Sequence, residues 1–402
     1  MSPHNDKSID PPSVLEHDLN KHFPELLTFG STKDLHASSL WKDISSEAER
    51  VLNAVVGENL SEATVGADCR MVRALAWNIE RGNVYDGIID GLKNHDGLKD
   101  KDLLLLTELD QGMARSGNRF VAQGIARELK LNYAFAPVYV ALQKGSGVES
   151  QVVGENQLSI HGLAMFSRYP MANVHAVPLP NGKDKMWGKE KRLGSLRALF
   201  ADIDHPAGKF RAVTIHLDAH CSRAHRQMQI KIVLDHLDTL PPLPVIIGGD
   251  WNTTTFNSQN STRAILGYWR RVLMGPKNVA KNHLPNPERY FERNLFSMLE
   301  KRGYNYRSLN EVGAGTLHYH IESIEKNTNL RDWVPEWCFP FIFWAAGRVG
   351  GHVSARLDWF AGKGIEIAPG AKPQTIGGLV DHKGTPLSDH DAIGIDFRII
   401  SS

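Results

Sequence analysis

From residue 71 onward the apolar residues arrive in short runs, separated by polar turns and by stretches of helical spacing. That alternation predicts a layered α/β domain rather than a helical bundle. MVRALAWNI (71–79), DLLLLTE (102–108), HGLAMFS (161–167), SLRALFADI (195–203), FRAVTIHL (210–217), PVIIGGD (244–250), ARLDWFAG (355–362) and AIGIDFRI (392–399) read as strands. Helical patterns fall near 117–130, 223–238 and 287–302, the second with Met228, Ile232, Leu234 and Leu237 along one side. Ahead of them, Leu40, Ile44, Ala48, Val51, Leu52 and Val55 recur at helical spacing behind two polar candidate caps, Ser38 and Ser39. Residues 1–13 carry no period. The chain therefore divides into a polar terminus with a helical extension (1–65) and a main domain (66–402), with an enlarged insertion over 253–354.

Composition narrows the class. In 402 residues, 42% hydrophobic and 23% charged is ordinary globular usage, enough for a sizeable core. Lys and Arg total 46 against 45 Asp and Glu, so no global field would hold a polyanion and any anionic substrate must be held locally. Cys69, Cys221 and Cys338 are odd in number and far apart, which fits neither a disulfide framework nor a cysteine zinc site and favours a reducing compartment. The first residues lack the apolar core of a secretory signal, and the longest uncharged apolar run, Trp337–Gly347, is too short to span a bilayer. The expectation is a soluble cytoplasmic protein without membrane insertion. Nothing implies a protein partner.

Polar residues keep appearing where the apolar runs end, the place where a sheet delivers side chains to its rim. Asn78 ends AWN, Glu108 ends LLLLTE, His216 and Asp218 end VTIHLD, Asp250 and Asn252 lie in GGDWN, and Asp389 with His390 lie in LSDHDA. Singly, each reads as a turn residue, a cap or a hydrogen-bonded histidine. Together, hard oxygen donors with few soft ones suit Mg²⁺ or Mn²⁺ rather than zinc, and two histidines beside them suit proton transfer.

AWNIERG, LLLLTELD, HGLAMFSRYP, TIHLDA, GGDWN, RLDWF and LSDHDA, in this order, resemble the endonuclease/exonuclease/phosphatase superfamily over about residues 71–400. The resemblance implies an α/β four-layer sandwich, two packed mixed β-sheets flanked by helices, with one site at one end. It implies Asn78, Glu108 and Asp389 at a Mg²⁺ or Mn²⁺ ion, and Asp250 and Asn252 orienting nucleophile and phosphate. It further implies His390 as the catalytic imidazole with Asp358 as its carboxylate partner, and His216 as a second site histidine. The implied activity is metal-assisted hydrolysis of a phosphate ester, foremost a phosphodiester in nucleic acid, with His390 as general base. A sphingomyelinase-like lipid phosphodiesterase, a phosphomonoesterase and a catalytically silent binding module on the same fold are the alternatives.

Around this constellation, Arg197, Arg115, Asn118 and Trp187 are candidate substrate contacts. Trp187 centres NGKDKMWGKEKR, where Lys183, Lys185, Lys189, Lys191 and Arg192 outnumber Asp184 and Glu190. That arm could hold an anionic polymer or a membrane surface. Arg168 reads as a loop anchor, Arg226 and Gln227 as a brace behind the site, and Glu80, His318 and His320 as structural or surface residues.

Overall fold

In the computed structural model, the described residues are 15–62, 70–188, 190–253, 257, 261–320, 347–348 and 352–400. Two mixed sheets form the centre. The larger, nine-stranded sheet runs Val56–Glu58, Asn132–Ala141, Ile160–Ser167, Leu103–Gln111, Val72–Arg81, Ala392–Ile399 and Ile365–Ile367, with Gln374–Ile376 and Arg192–Gly194 pairing at its ends. The smaller, five-stranded sheet runs Asp358–Lys363, Val245–Asp250, Gly208–His216, Arg197–His205 and Met171–Pro178.

The period of two along each strand explains the layering. In Val72–Arg81, Ala74 and Ala76 enter the core between the sheets, where they meet Phe200, Val213, Ile247 and Phe360 of the smaller sheet. Leu75 and Trp77 point the other way, into a second core closed by helices Tyr85–Asn94 and Val121–Leu129 and by the N-terminal extension. A strand buried on both faces reads as a nearly unbroken apolar run, as LLLL of Leu103–Gln111 does. Helix Arg223–Thr239 covers the outer face of the smaller sheet through Ile230, Val233, Leu234 and Leu237. The expected sandwich of two packed mixed sheets flanked by helices is thus present.

The extension is part of this architecture. Helix Ser39–Asn53 buries Leu40, Ile44, Ala48, Val51 and Leu52, as their spacing predicts, and the Ser38 hydroxyl caps it by accepting the Trp41 N–H at 3.1 Å. Val56–Glu58 then adds an antiparallel strand to Asn132–Ala141.

Several expectations need correction. The buried stripe of Arg223–Thr239 is rotated from Met228 and Ile232 because Arg226 and Gln229, both buried, occupy it. The helices expected over 117–130 and 287–302 begin at Val121 and Arg293. The run 355–362 is interrupted after Ala355 and resumes at Asp358. Within the insertion, helix Ser261–Leu273 carries Tyr268 to Arg271, while Arg293–Lys301 puts Leu295, Phe296 and Leu299 into the main core. Cys69, Lys189, Cys338 and the aromatic run Trp337–Trp344 lie outside the described residues. Among the described residues no helix is long and apolar enough to cross a membrane.

Candidate active site

Register builds the first half of the site. Asp250, the last residue of Val245–Asp250, pairs with Asp358 on one neighbouring strand and with His216 on the other. Paired positions point to one face, so Asp358, Asp250 and His216 form a row at the rim of the smaller sheet. The larger sheet supplies the second half through two bulges. Its register slips between Asn78 and Arg81 and again between Thr107 and Leu109. Glu80 (φ 44°), Arg81 (φ 66°) and Glu108 (φ 58°) all adopt the left-handed region at these slips, as does Asn252 (φ 48°) beyond Asp250. Non-glycine residues there cost about 1–3 kcal/mol each and persist where a side chain has to be re-aimed. Here the bulges turn Glu80, Arg81 and Glu108 towards the row on the opposite sheet.

Hydrogen bonds fix that row. His390 Nδ1 lies 2.8 Å from Asp358 Oδ2, and its Nε2 lies 3.9 Å from Asp250 Oδ2. The His390 backbone is pinned as well: Trp77 Nε1 donates to its carbonyl at 2.9 Å, and its own N–H donates to Ser388 Oγ at 3.1 Å. Asp250 Oδ2 accepts from Asn78 Nδ2 at 3.1 Å and from Asn252 Nδ2 at 3.2 Å, and it stands 3.4 Å from His216 Nε2. Asn252 Nδ2 also donates to the Leu217 carbonyl at 2.9 Å. The two amides therefore set the direction of the Asp250 carboxylate from both sheets.

Electrostatics separates two roles. Burial alone would lower the pKa of His390, but Asp358 and Asp250 outweigh it and raise that pKa well above the ordinary histidine range. Burial would raise that of Glu108, yet Arg81, His216, His161 and His390 hold its carboxyl well below the usual carboxylate range. Glu80 is pushed up to about 7 by burial and by the facing Asp389 and Glu108, against the pull of Arg81. Asp389 stands exposed at the mouth, its backbone N–H donating to Glu80 Oε2 at 3.2 Å.

Glu80, Glu108 and Asp389 thus crowd around Arg81, which stands 3.9 Å from Glu108 and also pairs with Glu149 at 2.9 Å. This excess of oxygen donors and negative charge fits a hard divalent cation. Asp250, Asp358 and His390 also offer donor atoms within 4.8 Å of one another. In that trio, Asp250 Oδ2 accepts the Asn78 and Asn252 amides and Asp358 Oδ2 faces His390 Nδ1, while Asp358 Oδ1 is buried without a hydrogen-bond partner among the described residues.

The structure thus brings together Asn78, Glu108, His216, Asp250, Asn252, Asp358, Asp389 and His390, and it adds Glu80, read from the sequence as a surface or salt-bridge residue. Three proposed substrate contacts are spent elsewhere. Arg115 is buried and bidentate to Asp110 at 2.8 and 3.0 Å, with Glu149 at 3.0 Å, in a network that also holds His161 against Asp110 at 2.8 Å. Asn118 is a left-handed turn residue whose amide donates to the Glu155 carbonyl and accepts the Gln157 N–H. Arg197 is buried and donates to Asn53 of the extension at 2.9 Å. Trp187 remains exposed, at 64%.

Arg168 anchors on Asp102, and Arg226 braces the rim through Glu292 and the carbonyls of Asp218 and Cys221. His318 bonds Asp391 at 2.6 Å. Arg81, Asp110 and His161 lie inside the blocks AWNIERG, LLLLTELD and HGLAMFSRYP without being singled out there, and Glu149 lies in none of the blocks. Only the bulge and the long 143–159 loop bring them to Glu108.

The two sheets thus bring a rim of carboxylates, amides and imidazoles together at one end of the sandwich. Residues 75–390 match the sequence signature of the Endonuclease/Exonuclease/phosphatase family, and the chain belongs to that family, whose members are divalent-metal-dependent hydrolases of phosphate esters. Among solved structures, an endonuclease/exonuclease/phosphatase from Beutenbergia cavernae is 16% identical, with 83% of this chain and 72% of that chain covered and a TM-score of 0.48. A humanized D. rerio TDP2 is 13% identical, covering 82% of this chain and 99% of that one, with a TM-score of 0.44. The human Nocturnin catalytic domain with bound sulfate is 14% identical, covering 87% and 98%, with a TM-score of 0.42. No curated protein matches the chain.

Proposed function

We propose that the protein is a cytoplasmic Mg²⁺- or Mn²⁺-dependent phosphodiesterase acting on nucleic acid, with His390 as general base. The observation that carries the chemistry is the His390–Asp358 hydrogen bond at 2.8 Å with Asp250 on the other side of the imidazole. Asp358 fixes the ring at Nδ1, so Nε2 is left to take the proton of the attacking water. Asp250, oriented by Asn78 and Asn252, positions that water. His216, half-buried at the rim, donates to the charge that develops on the transferring phosphoryl group. Glu108, with Asn78, Asp389 and Glu80 around it, would hold the cation. That ion, when bound, would polarise a phosphate oxygen and offset part of the carboxylate charge that raises the pKa of His390.

Purified protein with Mg²⁺ or Mn²⁺ should hydrolyse single-stranded DNA, duplex DNA or RNA in preference to sphingomyelin and p-nitrophenyl phosphate. His390→Ala should lose that activity by about 10²-fold or more. Preference for sphingomyelin or for the monoester would replace the nucleic-acid reading. Undiminished activity of His390→Ala would overturn the assignment of the base.

A further inference from the structure

Acidic and basic side chains alternate in a largely buried line that starts at Glu108 and runs away from the rim. Arg81 Nε stands 3.9 Å from Glu108 Oε2, while Arg81 Nη1 lies 2.9 Å from Glu149 Oε1. Glu149 Oε2 lies 3.0 Å from Arg115 Nη1, and Arg115 reaches the Asp110 carboxylate at 2.8 and 3.0 Å. Each step after the first is an ion pair at hydrogen-bond distance. The long step falls at the carboxylate placed to hold the cation.

Local structure sets that gap. Arg81 and Glu108 sit on adjacent parallel strands at the two bulges, with Arg81 in register with Leu109, and both adopt left-handed backbone. A guanidinium between two carboxylates closes on one of them, and here it closes on Glu149. Glu149 is itself held by its loop. It lies in the short helical turn Gly147–Gln151, and Gly145, at φ 134°, lets the backbone fold over it, since a Cβ there would collide with the Glu149 carboxylate. Lys144 closes the same loop by donating to the Val152 and Gly154 carbonyls at 3.0 and 3.1 Å.

We propose that Glu149 is a positioning residue that holds Arg81 off Glu108 and so keeps the Glu108 carboxylate open to a divalent cation. This rests on the reading of Glu108 as the cation ligand. A guanidinium closed on Glu108 would make two parallel charge-assisted hydrogen bonds and occupy the lone pairs that a hard cation needs. At 3.9 Å it is beyond hydrogen-bond reach, yet its charge still offsets the crowding of Glu80, Glu108 and Asp389. Arg115, fixed on Asp110, keeps Glu149 from following Arg81 toward the rim.

A purely structural ion-pair network differs from this in one measurable respect. A structural pair contributes to the free energy of unfolding and leaves metal affinity alone. A competitor held back by Glu149 affects the metal only while Arg81 is present.

The test is Mn²⁺ binding to the full chain without substrate, read by electron paramagnetic resonance of the free ion. Glu149→Gln should raise the Mn²⁺ dissociation constant at least about tenfold, the size of a lost supporting partner at a metal site. Arg81→Met should lower the constant below the wild-type value. In the Arg81→Met background, Glu149→Gln should change it by less than about twofold, so that the loss is rescued when the competitor is gone. Glu149→Asp, which keeps the charge and shortens its reach, should also raise the constant, and it replaces Glu149→Gln should that variant fold poorly. Lower stability with unchanged Mn²⁺ affinity, or an equal loss of affinity in both backgrounds, would overturn the positioning role. A wild type that binds no Mn²⁺, or Glu108→Gln that binds it as tightly as the wild type, would overturn the reading of Glu108 and the proposal with it.

Discussion

Asp358 and Asp250 stand directly opposite each other across two antiparallel strands, yet only Asp358 bonds His390 Nδ1, at 2.8 Å; Asp250, held by two asparagine amides, faces Nε2 at 3.9 Å. The pair therefore has divided roles. Asp358→Asn preserves shape while removing the charge that supports the imidazole. Steady-state kinetics should show kcat down by about 10²–10⁴-fold with KM little changed. An unaltered kcat would leave the dyad without a catalytic role.

His216 completes the row and touches Asp250 from the far side, at 3.4 Å. His216→Ala should lower kcat by about 10²-fold, the size of a lost charge-stabilising donor, and circular dichroism should match the wild type. Near-normal turnover would reassign His216 as a spacer in the row.

Arg115 tests a correction. Its side chain is 3% exposed and bonds Asp110 and Glu149, so Arg115→Met removes the guanidinium from a buried ion pair and leaves Asp110 to His161 and Glu149 to Arg81. Urea unfolding should show a loss of about 3–5 kcal/mol, the usual cost of breaking a buried ion pair from one side. KM for a small diester should hold at a temperature where the variant stays folded. A large rise in KM with unchanged stability would restore Arg115 as a substrate contact.

The basic arm 181–192 is clamped to the extension, where Asp184 accepts the Thr32 N–H at 2.7 Å, Met186 is buried with Leu26 and Leu35, and the Lys191 ammonium donates to the Leu27 and Phe29 carbonyls at 2.7 and 2.6 Å. Lys191→Met removes both ammonium bonds. Amide hydrogen exchange over 181–192 should accelerate while the core strands keep wild-type protection. Unchanged exchange in the arm would mean that Asp184 and Met186 hold it alone.

Most of the sandwich was legible because its strands are buried on both faces and read as apolar runs with polar ends. What escaped has physical causes. Asn132–Ala141 carries Pro137, which cannot donate to a ladder; the strand tolerates it by slipping register between Pro137 and Tyr139. The stripe of helix Arg223–Thr239 was misplaced because Arg226 and Gln229 are buried polar members that an apolar period cannot detect. Rim residues carried on the ends of strands were legible in the same way as the strands. Glu80 was not, because only the bulge after Asn78 turns it inward. Arg115 and Arg197 are basic and near the motifs, and only tertiary structure supplies the Asp110 and Asn53 that occupy them.

The central claim, that Glu108 anchors a cation on which hydrolysis depends, is tested most directly by titrating Mg²⁺ and Mn²⁺ into EDTA-treated protein and following bis(p-nitrophenyl) phosphate hydrolysis, wild type beside Glu108→Gln. The wild type should be inactive in EDTA and saturably restored by metal, and the variant should need at least about tenfold more metal and reach a lower plateau. Full turnover in EDTA, or superimposable metal titrations for the two proteins, would contradict the account.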